Sequence, residues 1–143
     1  MAAIMRQLSD IILHQNPLTL LASVRVKDAC KSMADRRVGA VLVTNNSGGL
    51  VGIFTGRDAV ARVLAAGLDA SRVSLEEVMT ADPRCMAPGV TAIEALRLMQ
   101  NCGCRHIPVV KDGKVVGIVS RGDMRGTELD RLDEETGLWE RIA

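Results

Sequence analysis

The sequence predicts a mixed α/β fold, of α+β character, in which two pseudo-symmetric repeats pack face to face into one module. Three observations carry that expectation. Laid over itself at an offset of about 66 residues, the chain matches along much of its length. Val24 falls on Val90, Ala29 on Ala95, Met33 on Met99, Val41 on Ile107 and Val43 on Val109. Within each copy, apolar residues recur first at helical spacing and then in short β-branched runs. Finally, one copy alone can bury only a modest core, so the two need each other.

Each element has its own signal. The copies open with helical lead-ins, LSDIIL and LEEVMT, that run towards Pro17 and Pro83. An amphipathic helix follows, marked by Val26, Ala29, Cys30 and Met33 in the first copy and by Ala92, Ala95, Leu96 and Met99 in the second. Hairpins come next. GAVLV and LVGIFT are joined by asparagines and glycines, HIPVV and VVGIVS by Asp112-Gly113, a favoured two-residue turn. The longer turn TNNSGG against KDGK lowers the offset by one, so Gly52, Thr55 and Asp58 match Gly117, Ser120 and Asp123. Turns absorb such insertions easily. A second helix is expected near each aspartate, clearest in DAVARVLAAG, which Gly67 ends.

The chain thus divides into an N-terminal segment (1–7), a first repeat (8–66), a linker (67–73), a second repeat (74–126) and a helical tail (127–143). The stretch AAGLDASRVSLEEVM has a faint helix-turn-helix outline but few basic residues to meet phosphates, so it is read as linker plus lead-in. In the tail, Thr127 and Asp130 suggest a capping box, and Leu129 with Leu132 and Leu138 with Ile142 form apolar pairs. Trp139 is expected to close the core or to dock on a second subunit.

Composition narrows the function. Of 143 residues 48% are hydrophobic, enough for a true core, and the net charge of +1 gives no broad electrostatic footprint for nucleic acid. No apolar run approaches the roughly 18 residues that span a bilayer, and the N-terminal residues lack the order of a signal peptide, so a cytoplasmic protein without membrane contact is expected. Cys30, Cys85, Cys102 and Cys104 do not form a disulfide framework. In CGCRH, Cys102, Cys104 and His106 alternate like soft metal ligands, but Cys104 is read as a small buried hydrophobe and no metal is expected. His14 is read as a solvated or capping side chain. With two histidines, no paired nucleophile and base, and no P-loop or nucleophile elbow, catalytic roles have no candidates.

The chemistry concentrates in the repeated segments VGIFTGRD and VGIVSRGD. Thr55 and Ser120 offer hydroxyls at strand ends, the following turn offers free N–H groups for an anion, and Asp58 and Asp123 can accept hydrogen bonds from a vicinal diol. The same residues would also serve as ordinary helix N-caps. Their double occurrence favours ligand binding.

The pair of copies resembles tandem cystathionine-beta-synthase (CBS) domains, a Bateman module, on RHIPVV, VVGIVSRGD and LVGIFTGRD, over nearly the whole span from about Leu8 to Met124. The resemblance implies β-α-β-β-α units, two pseudo-equivalent sites in the cleft and an adenine nucleotide that regulates a partner protein. AMP comes first among the ligands, with ATP, ADP, NAD(H) and S-adenosylmethionine as alternatives. It makes Asp58 and Asp123 ribose ligands and gives Thr55 and Ser120 ribose or phosphate contacts. Ile53 and Ile118 would line the base pockets, and Arg57, Arg121 and Gly122 belong to the same segments. Each site would be completed by the other copy: Asp58 by Pro83, Arg84, Cys85, Arg105, His106 and Pro108, and Asp123 by Pro17, Leu18, Val38, Gly39 and Ala40. The arginines differ between copies, so the Asp58 site is expected to take more phosphate charge and the Asp123 site to have more room. With only 1% aromatic residues, adenine would lie between aliphatic side chains, which points to moderate affinity. The family also implies a homodimer and no catalysis. The competing readings are a structural dimeriser and a Cys/His metal or redox sensor without nucleotide.

Overall fold

A computed structural model describes residues 5–142, with side chains described through residue 135. The first repeat runs α1 (Leu8–Ile11), β1 (Thr19–Leu21), α2 (Val26–Arg36), β2 (Ala40–Thr44) and β3 (Leu50–Thr55). It ends in α3, a short turn over Gly56–Asp58 that continues into a wider π-wound stretch, Ala59–Leu64. The second repeat runs α4 (Leu75–Val78), β4 (Thr80–Ala81), α5 (Ala92–Cys102), β5 (His106–Lys111) and β6 (Lys114–Ser120). A 3-10 turn over Arg121–Asp123 then leads to α6 (Gly126–Ile142).

The helices form where the spacing predicts. Val26, Ala29 and Met33 put the buried face of α2 against β2 and β3, and Ala92, Ala95, Leu96 and Met99 put that of α5 against β5 and β6. Thr91 caps α5 by accepting the Glu94 N–H at 3.3 Å, and Gly103, left-handed at φ 66, ends it. The β5–β6 turn is the expected one, because Asp112 and Gly113 both take positive φ.

β1 pairs parallel to β2, and β2 pairs antiparallel to β3. The outer edge of β3 then accepts β4 from the second repeat. β5 and β6 make a separate antiparallel pair. β2 is buried along its whole length. Val41 and Val43 face a cluster with Phe54, Val26 and Ala29, while Ala40 and Leu42 pack with Ile53, Leu50, Val115 and Ile118. The second cluster joins β2 and β3 to β6, so the repeats do meet face to face.

The lead-ins are exchanged. Leu8 and Ile12, at and just past α1, enter the core of the second repeat beside Leu96, Ile107 and Val119. Leu75 and Val78 of α4 enter the core of the first beside Phe54 and Val63. Each docks on the glycine of the repeated VGI. A Cβ on Gly117 would lie 2.6 Å from Ile12 Cγ2 and 2.7 Å from Ile12 Cβ, and one on Gly52 would run into the Met79 side chain. At Gly117 only glycine permits that approach. Gln15 completes the docking of α1: its Nε2 donates to the Ile118 carbonyl at 2.7 Å, and the Ile118 N–H donates to its Oε1 at 2.9 Å.

The second repeat, with the tail that follows it, departs from expectation in three places. Its first strand shrinks to one parallel bridge, Met86 with Val109, because Pro83, Pro88 and Gly89 leave little chain able to hold a ladder. The helix expected at Asp123 is only the 3-10 turn: Met124 is extended and sends its side chain into the core, and Gly122 and Gly126 weaken any helix across that point. The Thr127–Asp130 capping box does not form, since α6 already starts at Gly126. Glu128 serves instead, accepting the Arg125 N–H at 2.8 Å and bonds from Arg6 at 2.6 and 3.2 Å. Leu132 and Leu129 pack on the second core, whereas the side chains of Leu138, Trp139 and Ile142 lie outside the described residues.

Replacing Gly117 by alanine should destabilise the protein by about 1–3 kcal/mol, since the β-branched Ile12 cannot swing aside. Gly52→Ala should cost less, because the flexible Met79 can move. Urea denaturation of the two variants tests this, and an equal or reversed order would show that the glycines are not close-approach positions.

Candidate functional site

Both repeated segments build the same local device. The Asp58 Oδ2 atom accepts the Thr55 N–H at 2.9 Å and the Thr55 hydroxyl at 3.1 Å. The Asp123 Oδ2 atom accepts the Ser120 N–H at 2.7 Å and the Ser120 hydroxyl at 3.1 Å. Capping and ligand presentation are therefore not exclusive. The cap saturates one carboxylate oxygen and fixes the direction of the other, so a diol would be accepted by Oδ1. In the first repeat that oxygen lies 3.6 Å from Arg62 Nε. In the second, Oδ1 has no hydrogen bond or ion pair among the described residues.

A cavity opens beside each aspartate. The one at Asp58 measures about 680 Å³, within the usual range for small-molecule sites. It brings together Ile53, Thr55, Arg57 and Asp58 from the first repeat with Pro83, Arg84, Arg105 and His106 from the second. Cys85 and Pro108 do not line it: Cys85 is exposed, and Pro108 is buried in β5, where its carbonyl accepts the Met86 N–H at 3.0 Å. Gly39, Arg62, Thr80 and the Cys102–Cys104 turn line it without having been anticipated. Arg62 is a strut as well as a wall, donating to the Val78 and Met79 carbonyls at 3.3 and 3.1 Å.

The cavity at Asp123 measures about 350 Å³. Pro17, Leu18, Val38, Gly39, Ala40, Ile118, Ser120 and Asp123 line it, while Arg121 and Gly122 do not. The one-position shift between Thr-Gly-Arg-Asp and Ser-Arg-Gly-Asp turns Arg121 away, whereas Arg57 faces its own cavity. The expected extra room at Asp123 is overturned, since Gln15, Arg37 and His106 occupy that wall. The expected charge difference has a counterpart in the linings: Arg57, Arg62, Arg84 and Arg105 surround the larger cavity, against Arg37 alone at the smaller.

His106 borders both cavities. Burial, reinforced by the neighbouring Arg105 charge, lowers its pKa, and Asp123 pulls the other way without prevailing. No signal in the sequence separates a histidine on one wall from one shared by two, because that depends on how the repeats meet.

The reading of Cys104 as a buried hydrophobe is overturned. Gly103 turns the chain so that Cys102 and Cys104, with Cα atoms 5.3 Å apart, are disulfide-bonded. Among the described residues, no three His, Cys, Asp or Glu side chains gather as metal ligands. Nor is any helix there long and apolar enough to cross a membrane.

Because His106 favours its neutral form when folded, the unfolded chain binds more protons just below its ordinary value of 6.5. Stability should fall as pH drops through that region towards the lowered folded pKa. Urea midpoints between pH 8 and 5 should decline more in wild type than in His106→Gln; parallel profiles would contradict the assignment.

The family model for the CBS domain matches residues 8–65 and 75–129. The CBS domain-containing protein CBSCBSPB2 of Arabidopsis thaliana is 42% identical over 102 residues, covering 71% of this chain and 19% of that protein. The chain thus spans about a fifth of the length of such relatives. Two solved structures share the fold. One is the CBS domain pair of protein MJ0100 in complex with 5′-methylthioadenosine and S-adenosyl-L-methionine, with TM-score 0.76, 25% identity and coverage of 93% of this chain and 99% of that one. The other is a CBS domain protein from Pyrobaculum aerophilum complexed with AMP, with TM-score 0.79, 23% identity and coverage of 90% and 98%.

Proposed function

The chain belongs to the CBS-domain family as a tandem pair of repeats, and from that premise we propose that it is a regulatory sensor of adenosine-containing ligands that modulates a partner protein without catalysis of its own. The observation that carries this reading is the pairing of a cavity with a cap-oriented aspartate in each repeat. In this reading Asp58 and Asp123 each accept the ribose diol on Oδ1. Ile53 and Ile118 flank the bases. The adenosine-containing ligands of the MJ0100 and Pyrobaculum proteins support the ligand class.

The two sites are assigned different cargo. With four arginines around it, the Asp58 cavity suits a phosphorylated nucleotide, AMP foremost, with ADP, ATP or the pyrophosphate of NAD(H) as more highly charged occupants. The Asp123 cavity suits a smaller or less charged adenosine compound, S-adenosylmethionine or its relatives among them. No metal is invoked. We assign the module a homodimer as its working form; Val60 and Leu64, 61% and 72% exposed one turn apart on the π-wound stretch after α3, supply an apolar surface for it.

Calorimetry with AMP on Asp58→Ala and Asp123→Ala tests the assignment. Losing a hydrogen-bonded carboxylate should weaken the corresponding site about tenfold or more, with Asp58→Ala abolishing most AMP affinity. Thermal shifts with AMP, ATP, NADH and S-adenosylmethionine should rise with ligand concentration. If none of the four stabilises the protein, the sensor reading fails and a structural dimeriser remains. Sedimentation of a Val60→Glu/Leu64→Glu variant should report monomers where wild type reports dimers; an unchanged distribution would place the dimer contact elsewhere.

A further inference from the structure

The two cysteines at the rim of the larger cavity have no part in the nucleotide reading, yet they form one of its walls. Cys102 is the last residue of α5, Gly103 takes the left-handed conformation, and Cys104 precedes β5. That reversal points both side chains the same way and joins their sulfurs. The bridge spans a single intervening residue, so it constrains the unfolded chain less than a bridge between distant elements would, and it ties no two distant elements of the fold together. The core of the second repeat holds together through α1, α5 and β5 without it. A bridge that joins no distant elements, on an exposed cysteine and a half-buried one, is open to exchange with small thiols. Its surroundings suit exchange, because Arg57, Arg84 and Arg105 line the same cavity and positive charge favours the thiolate.

We propose that Cys102 and Cys104 are a reversible dithiol–disulfide couple that exchanges with low-molecular-weight thiols and disulfides of the glutathione class, and that its state sets the shape of the Asp58 cavity. In oxidation, the thiolate of one cysteine attacks a sulfur of the small disulfide, forming a mixed disulfide and releasing one small thiolate. The second cysteine's thiolate then attacks the protein sulfur of that mixed disulfide, closing the Cys102–Cys104 bond and releasing the second thiolate. Two electrons pass from the protein to the small disulfide, and the two protons given up by the cysteines end on the two small thiols. Reduction runs the same steps backwards.

The structural consequence follows from the chain. Opening the bridge forces the two sulfurs apart to non-bonded contact and releases the Gly103 turn. Arg105 and His106 are the next two residues, and both line the cavity. The shift passes on, because the Arg105 carbonyl accepts the Arg121 N–H at 3.1 Å at the start of the turn that carries Asp123. The effect on adenosine affinity rests on the sensor reading above; the couple itself does not.

The full chain is equilibrated in glutathione buffers of graded thiol-to-disulfide ratio, alkylated and mapped by mass spectrometry. The oxidised protein should carry two fewer labels, both missing from Cys102 and Cys104, with the change reversed by excess thiol and Cys30 and Cys85 as internal controls. Amide resonances of Arg105, His106 and Asp58 should move between the two states without any ligand. AMP affinity should differ about fivefold or more between states, a difference lost in Cys102→Ser/Cys104→Ser. Labels retained on both cysteines, or glutathione adducts in place of the internal bond, overturn the couple. Normal couple formation with unmoved cavity resonances overturns the control of cavity shape. A couple that forms and moves those resonances while AMP binds in neither state upholds this proposal and refutes the nucleotide reading instead.

Discussion

The exchange of lead-in helices is the constraint on which the rest of the molecule depends. Neither repeat closes its own core: the second needs Leu8 and Ile12 from the start of the chain, and the first needs Leu75 and Val78 from the start of its successor. Gly117 makes the first docking possible, since a Cβ there would run into the β-branched Ile12, and Gly52 eases the second, where the flexible Met79 lies across it. Having docked on the opposite repeat, each lead-in must run past that repeat's aspartate to return home. Asn16, Pro17 and Leu18 therefore pass Asp123, and Thr80, Pro83 and Arg84 pass Asp58. The cavities are by-products of the exchange, and their walls draw on both copies for that reason.

The same economy governs the aspartates. A carboxylate left to itself samples several rotamers, and a ligand that used it would first have to order it. Here the backbone N–H and hydroxyl of Thr55 or Ser120 hold one oxygen, so the other is aimed before anything arrives. An ordinary capping interaction thus becomes preorganisation once a cavity lies in front of it. The first repeat adds Arg62, which reaches from Asp58 Oδ1 to the Val78 and Met79 carbonyls. This ties the orientation of the aspartate to the docked α4. Among the described residues the second repeat has no such strut, but Arg6 does comparable work from outside. It binds Glu128 through two nitrogens and donates to the Asp123 carbonyl at 2.9 Å, holding the 3-10 turn and the start of α6 together. Burial works against ionisation of Glu128, yet its hydrogen bonds to Arg6 and Arg125 outweigh that and lower its pKa.

What the sequence made legible is what local chemistry decides. The repeat, the amphipathic faces of α2 and α5, the Asp112-Gly113 turn and the two hydroxyl–aspartate pairs all follow from residues within a few positions of one another. The resemblance to a known family then supplied most of the cross-copy wall at each aspartate. What stayed hidden depends on contacts across the whole chain. Two lead-ins of equal spacing fit self-docking and exchange equally well, so Ile12 against Gly117 could not be foreseen. Gln15 looks like any polar residue before a proline, yet it pairs with Ile118 as a strand would and narrows the smaller cavity. The break after Asp123 was missed because Met124 gains more from burial in the second core than from continuing a helix interrupted by glycines. Cys104 was misjudged because strand polarity hides what the left-handed Gly103 does to its neighbour.

The two cavities also differ in a way that pseudo-symmetry alone would not allow. Where the second repeat presents Arg105 and His106, the first presents Gly39 and Ala40, so the two bulky residues stand on one side of the shared wall and the two small ones on the other. His106 fills the gap left by Gly39: its Nε2 would lie 3.6 Å from a Cβ at that position. A Cβ at Gly39 would only touch the imidazole, whereas a longer side chain there would compete with it for the same space. Small opposite large lets the shared wall close, and Arg105 adds its charge to the larger cavity alone. An anion in either cavity would act on the same imidazole, favouring its protonated form against the burial that lowers its pKa. Two pockets built on one repeated sentence thus share a single titratable partition, and their surroundings are coupled by the geometry that created them.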